Sequence, residues 1–261
     1  MTGYLSVLRA IAHAVRDAVE DAWERREVWG QKVGKGADGT PTSLIDKIAE
    51  DAAMEELESL DPPLSVLTEE RGYVNRGYSK VLVMDPVDGT YNAEKGIPFY
   101  SVSLAVAEKS LEGVTHALIL NIPANREYHA VAGQGAYCCG RRISVRPFRR
   151  EDSLFVINLG WSAPGRWAMA TLRPKRSRSL GAASLEFALL AQGSADLVVY
   201  CFERGGALRV VDVAAAYLLV REAGGRMVDD SLNPLRMPLS LRVRKNVIAF
   251  ADEAVLGEVG I

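Results

Sequence analysis

Apolar residues recur at three- and four-residue spacing through residues 4–29, at Leu5, Leu8, Ile11, Ala12, Val15, Val19, Ala22 and Trp23, with charges between them. That period predicts a long amphipathic helix laid against a sheet. The pattern returns over residues 44–60, at Ile45, Ile48, Ala49, Ala52, Ala53 and Leu57, after a Pro41-Thr42-Ser43 start signal that puts Asp46 in the first turn. Between the two helices, residues 31–40 carry Gly34, Lys35, Gly36, Asp38 and Gly39, and are expected to be an irregular, mobile lid.

Farther on the period shortens. Residues 64–68 read as a strand running into Glu69-Glu70, and Val81-Leu82-Val83-Met84 as a short buried strand stopped by Asp85-Pro86-Val87-Asp88-Gly89-Thr90. Residues 101–108, 113–120 and 126–132, separated by turn sequences, predict an antiparallel meander, with a tight turn over residues 133–142. After Pro147 strands and helices alternate: strands at 154–158, 177–180 and 195–200, helices at 163–171, 184–193 and 210–224, the last stopped by Gly224-Gly225. The expectation is a mixed α+β and α/β chain with a boundary near residue 148. Residues 1–147 would carry most of the metal site, and residues 148–261 would contribute Asp212 and substrate contacts.

Composition narrows the function. A formal charge of −2, with cations scattered apart from a short cluster at 173–178, leaves no nucleic-acid footprint. Three cysteines, two of them adjacent at Cys138 and Cys139, form neither a disulfide framework nor a spaced zinc pattern. No apolar run reaches membrane-spanning length and no signal-peptide core opens the chain, so a cytoplasmic protein meeting a small ligand is expected.

Five acids hold the chemistry: Glu69, Asp85, Asp88, Asp212 and Asp46. Each has an ordinary explanation, a solvated turn after a strand or a partner for a helix dipole. Four of them, however, stand at the mouths of elements, where open α/β structures bind ligands. Carboxylates without His or Cys select hard cations, Mg²⁺ first and Mn²⁺ second. Two or three such ions would relieve the mutual repulsion, and a pair roughly 3.5–4 Å apart suits in-line displacement at phosphorus. Thr90 adds a hydroxyl, and the Gly89 and Thr90 amides at a helix start could hold phosphate oxygens. The residues therefore point to metal-assisted phosphoryl chemistry.

Glu69-Glu70, Asp85-Pro86-Val87-Asp88-Gly89-Thr90-Tyr91-Asn92 and Asp212-Val213-Ala214-Ala215 with Glu222-Ala223-Gly224-Gly225 together resemble the inositol monophosphatase family of the fructose-1,6-bisphosphatase-like superfamily. The resemblance extends from Lys35 to Gly225. It implies a layered α-β-α-β-α sandwich, Mg²⁺ dependence and hydrolysis of a phosphate monoester by metal-activated water without a phosphoenzyme. It further implies that Glu69, Asp85 and the Val87 carbonyl bind one metal, and that Asp85, Asp88 and Asp212 bind a second. Thr90 and Asp46 would orient and deprotonate water, Glu70 would stand near a third metal, and Lys35 would lie on the mobile loop. Substrate contacts are implied for Asp88, Gly89, Thr90 and the segment from Arg178 through Gly181, Ala182 and Ala183 to Ser184, with Arg178 and Arg204 as candidates for a second phosphate. The family commonly forms homodimers.

Leu208-Arg209-Val210-Val211-Asp212 departs from the tryptophan usual before the last aspartate, and resembles the archaeal members that act on both inositol monophosphate and fructose 1,6-bisphosphate. A nucleotidase acting on 3′-phosphoadenosine phosphates is the alternative within the fold. A haloacid-dehalogenase-type phosphatase would space its acids by two residues, whereas Asp85 and Asp88 are three apart. A binding protein that has lost turnover is the least favoured reading, because every acid is in place.

Overall fold

The computed structural model describes residues 3–260 except Asp38 and Trp161, so the Asp38 portion of the expected lid lies outside the described residues. In chain order the elements are α1 (Tyr4–Asp21), β1 (Lys32–Lys35), β2 (Pro41–Ser43), α2 (Leu44–Leu60), β3 (Ser65–Thr68), β4 (Gly72–Val74), β5 (Lys80–Asp88), α3 (Thr90–Glu94), β6 (Ser101–Glu108), β7 (His116–Asn121), β8 (Arg126–Val131), β9 (Gly135–Cys138) and β10 (Arg141–Ile143). They continue as β11 (Leu154–Asn158), α4 (Gly165–Ala170), β12 (Arg176–Arg178), α5 (Ala183–Ala191), β13 (Leu197–Tyr200), α6 (Val210–Glu222), β14 (Arg226–Val228), β15 (Val247–Phe250) and α7 (Ala254–Val259).

The strands form an eight-stranded sheet, β10-β9-β8-β7-β6-β5-β3-β4, a five-stranded sheet, β12-β11-β13-β15-β14, and the β1-β2 pair. Alternation along the strands builds the layers. On β5, Leu82 and Met84 join α1 and α2 in one apolar cluster, while Val81 and Val83 face α5 and α6 in another. Both faces are covered, which is why this strand reads as an unbroken apolar run. The second cluster continues through α5 and α6 to Val156, Val198, Val247 and Ala249 of the smaller sheet. On that sheet's far side Phe155, Ile157, Leu197 and Val199 pack with Trp167 of α4 and Val255 of α7. The order is thus helix, sheet, helix, sheet, helix: the layered sandwich expected. α5 and α6 are buried on nearly all sides, as the middle layer of such a stack must be.

Several local expectations are corrected. The first helix ends at Asp21 and is followed by a 3-10 turn, Trp23–Val28, because no residue of that turn is buried and Trp29 folds back to donate Nε1 to the Ala22 carbonyl at 3.1 Å. Residues 31–40 do not remain irregular; Lys32–Lys35 pairs antiparallel with Pro41–Ser43. Its turn is held by Ala37 N donating to the Glu70 carbonyl at 2.9 Å. The turn expected over 133–142 is itself a hairpin, β9–β10, whose connecting Cys139 and Gly140 both have positive φ, 47° and 76°, as a tight primed turn requires. β4, β14, β15 and α7 are additions.

Candidate active site

The centre of the site is made by an irregularity in β5. In the pairing with β6, Asp85 faces Ser103 and Asp88 faces Ser101, so three steps on one strand match two on the other. On a regular strand residues three apart point to opposite faces; one extra residue brings both acids to the same side. Pro86, which has no N–H for the ladder, lies within this bulge. Asp85 Oδ1 accepts from Val87 N at 3.1 Å, closing the local turn. Gly89 then adopts φ 92°, and a Cβ there would stand 2.9 Å from Ala182 Cβ and 3.2 Å from the Phe99 carbonyl. Only glycine fits this passage into α3.

Other elements bring their acids to this point. Glu69 follows β3, which runs parallel to β5, and Asp212 is in the first turn of α6. One oxygen from each of Glu69, Asp85 and Asp212 lies within 4.8 Å of the others. Asp88 is held from a third direction: the α5 start donates Ala183 N at 3.1 Å, Ser184 N at 2.7 Å and Ser184 Oγ at 2.5 Å to its carboxylate. Burial, reinforced by the charges of Glu69, Asp88 and Asp212, pushes the Asp85 carboxyl well above its ordinary value. Burial likewise pushes Asp88 up to about 7, against its bonds from Ser184 and Ala183. A cation among these groups would reverse that tendency.

Beside the cluster, Thr90 Oγ1 is 2.8 Å from Asp46 Oδ1 and 3.0 Å from the Val87 carbonyl, so its one proton serves one or the other. Asp46 Oδ2 accepts from Ser43 Oγ at 2.7 Å and from Ser43 N at 3.2 Å, completing a capping box on α2. Its helix-start role and its contact with Thr90 therefore coexist. Burial raises the Asp46 carboxyl, while the Ser43 and Thr90 bonds oppose the rise.

A cavity of about 270 Å³ opens on these groups, lined by Glu69, Asp85, Val87, Asp88, Gly89, Thr90 and Asp212, and also by Gly181 and Ala183. A larger apolar cleft of about 370 Å³ opens between Trp23, Pro98, Tyr100 and Ile122 and carries none of these acids. Of the other residues nominated from sequence, Glu70, Lys35, Ala182, Arg178 and Arg204 do not line the cavity. Glu70 is bonded by the Thr42 hydroxyl, and Lys35 is exposed on β1. Ala182 caps α5 under Gly89. Arg178 is exposed and donates to the Ser177 carbonyl at 2.7 Å, and Arg204 is exposed in the bend before Gly205; the arginines that line the cavity are Arg209 and Arg244.

The sequence points to no site role for Arg209, Asn92 or Glu186, marks Ser43 only as a helix start, and places Ser184 only in the substrate-contacting segment that the resemblance implies. Asn92 Nδ2 donates to the Phe99 and Leu180 carbonyls at 2.8 and 2.7 Å. Glu186 Oε1 accepts from Leu180 N and Gly181 N at 2.6 and 3.0 Å, and its other oxygen accepts from the Tyr200 hydroxyl. Together they fix the segment that meets Asp88. Arg209 could have been noticed by its position, three residues before Asp212 at the start of a helix.

The family model described as the inositol monophosphatase family matches residues 2–256. The chain belongs to the inositol monophosphatase family. It is a phosphatase of that family, with the family's layered fold. It is 37% identical over 230 residues to a fructose-1,6-bisphosphatase/inositol-1-monophosphatase of Thermococcus kodakarensis, covering 88% of this chain and 86% of the relative. It is 34% identical over 250 residues to a protein of the same name from Archaeoglobus fulgidus, covering 94% and 92%. The crystal structure of an inositol monophosphatase-fructose 1,6 bisphosphatase superposes with a TM-score of 0.84 at 26% identity, covering 99% of this chain and 98% of that one. Among the described residues no helix is long and apolar enough to cross a membrane.

Proposed function

We propose that this phosphatase is Mg²⁺-dependent and hydrolyses sugar and polyol phosphates, taking both fructose 1,6-bisphosphate and inositol 1-phosphate. One observation carries the reading: oxygens of Glu69, Asp85 and Asp212 converge within 4.8 Å beside the bonded Thr90–Asp46 pair. The donor set fits the metal, since it consists of carboxylates and the Val87 carbonyl, the oxygen ligands that hard cations prefer. The names of the relatives support the substrate class.

In this reading Glu69, Asp85 and the Val87 carbonyl hold one ion, Asp85, Asp88 and Asp212 hold a second, and Glu70 stands by a third. When bound, the ions would neutralise phosphoryl charge and make water a stronger nucleophile. Thr90 Oγ1 orients the attacking water, and Asp46 Oδ1, which faces that hydroxyl, receives the proton. The Gly89 and Thr90 amides receive phosphate oxygens. Gly181, Ala182 and Ala183 meet the organic part of the substrate, Arg178 and Arg204, which are exposed outside the cavity lining, would have to swing in to serve a second phosphate, and Lys35 travels with the β1–β2 hairpin. The chain works as a homodimer in the cytoplasm, and two units meeting near residue 148 supply the two sides of the site.

The test is phosphate release from fructose 1,6-bisphosphate, inositol 1-phosphate and 3′-phosphoadenosine 5′-phosphate, measured side by side with Mg²⁺. Turnover of the first two is expected. A clear preference for the nucleotide would overturn the substrate assignment.

A further inference from the structure

The acid cluster already holds a cation of the chain's own. Arg209 is 8% exposed, and its guanidinium grips Glu69 with two bonds, Nη1 to Oε1 at 2.6 Å and Nη2 to Oε2 at 2.7 Å. The same Nη2 reaches Asp212 Oδ1 at 2.9 Å, and Nε lies 3.3 Å from Asp212 Oδ2. Its backbone N–H donates to Asp212 Oδ2 at 2.6 Å, so the start of α6 fixes the root of the side chain while the carboxylates fix its tip. Buried two-pronged arginine–carboxylate contacts of this kind are strong and geometrically selective.

Glu69 and Asp212 are two of the three residues whose oxygens converge. A dication at that point would share its ligand atoms with a guanidinium a few ångströms away, and like charges at such a distance repel strongly when poorly solvated. Both Glu69 oxygens are engaged by Arg209; each keeps a further lone pair, so a cation there would compete with the guanidinium for the same negative charge and repel it. The cavity that Arg209 lines beside Leu208 and Arg244 gives the displaced side chain somewhere to turn.

We propose that Arg209 is an exchangeable counter-cation, which neutralises Glu69 and Asp212 until a divalent ion takes their oxygens and turns the guanidinium out into the cavity. The inference rests on the metal reading above. It makes Arg209 a positioning residue that sets how much divalent ion the protein requires. It also links the ions to one another. Arg209 holds one carboxylate assigned to the first ion and one assigned to the second, so the first ion to displace it leaves the other site open, and the two bind with positive cooperativity.

The test is calorimetric titration of Mg²⁺ into the wild type, Arg209→Met and Arg209→Lys, with thermal unfolding of each in the presence and absence of Mg²⁺. Arg209→Met should bind Mg²⁺ on the order of tenfold more tightly, in the usual range of coupling between sites, with the cooperativity lost. Its unfolding temperature should fall in the absence of Mg²⁺ much more than in its presence, and Arg209→Lys should lie between. In the wild type, the ¹⁵N guanidinium signal of Arg209 should move when Mg²⁺ saturates the site, a readout that needs no variant to fold. Unchanged or weaker Mg²⁺ binding by Arg209→Met, equal loss of unfolding temperature in both conditions, or an unmoved Arg209 signal would overturn the exchange and leave the metal reading standing. Failure of the wild type to bind Mg²⁺ would overturn both.

Discussion

At the scale of single residues, the division of labour follows from who holds whom. Asp85 is crowded by other acids, Asp88 is tied to the start of α5, and Asp46 is bonded to Ser43 and Thr90. Asp46 is thus placed to handle a proton and adds little to substrate binding. Asp46→Asn should lower kcat about 10²-fold or more, the ordinary contribution of a general base, with KM changed by less than about threefold. Steady-state kinetics on a variant shown to be folded by circular dichroism checks this; a change in KM alone would remove Asp46 from the chemistry. Glu69, Asp85, Asp88 and Asp212 were legible in the sequence because acids at the ends of apolar runs are conspicuous. Asn92, Glu186 and Arg209 were not, nor was the bond that ties Ser184 to Asp88, because these side chains reach partners chosen by the fold, as Ser184 does across 96 positions and Arg209 to Glu69 across 140.

The elements show the same contrast. α2 and the β6–β8 meander could be read from periodicity alone, whereas the β1–β2 and β9–β10 hairpins could not: Gly-rich and polar segments carry no burial pattern, and their pairing is set by turns and neighbours. The bulge in β5 has a local signal, Pro86 within an otherwise apolar strand, but its register is decided by β6. α2 also carries an anomaly. Glu50 is 2% exposed, neither of its carboxylate oxygens makes a hydrogen bond of good geometry among the described residues, and the Arg71 Nε is 3.6 Å away. Burial pushes its pKa up to about 7, with Arg71 opposing and Glu70 adding to the rise. Between roughly pH 4.5 and 7 the folded chain keeps a proton that the unfolded chain has released, so stability falls as pH rises through this window. Glu50→Gln removes that slope. At pH 8 it should be more stable than the wild type by about 2 kcal/mol, and at pH 4 within about 0.5 kcal/mol of it. Urea unfolding at the two pH values measures the difference, and equal gains at both would assign the effect to packing.

Across the whole molecule, the layered order explains why the site lies where it does. α1 and α2 cover one face of the large sheet, α5 and α6 fill the space between the sheets, and α4 and α7 close the far side. The middle layer starts at the cavity: the α5 start meets Asp88, and the α6 start brings Arg209 and Asp212 to Glu69. Acids 143 positions apart in the chain, from Glu69 to Asp212, therefore share one centre. Helix–strand alternation in the second half indicated layers, but which helix would lie between two sheets could not be read from it, since Ala- and Val-rich helices suit any fully buried position.

The most direct test of the account is Mg²⁺ titration of phosphate release from fructose 1,6-bisphosphate by the wild type and by Asp85→Asn, both first stripped with EDTA. Asp85 is the acid expected to bridge two ions and the one most crowded by its neighbours. Its replacement should leave the metal-free protein folded and at least as stable as the wild type. Wild-type turnover should rise from background with Mg²⁺, and Asp85→Asn should stay at background at every Mg²⁺ concentration. Undiminished wild-type turnover without divalent ions, or Mg²⁺-dependent turnover by Asp85→Asn at the wild-type rate, would contradict the account.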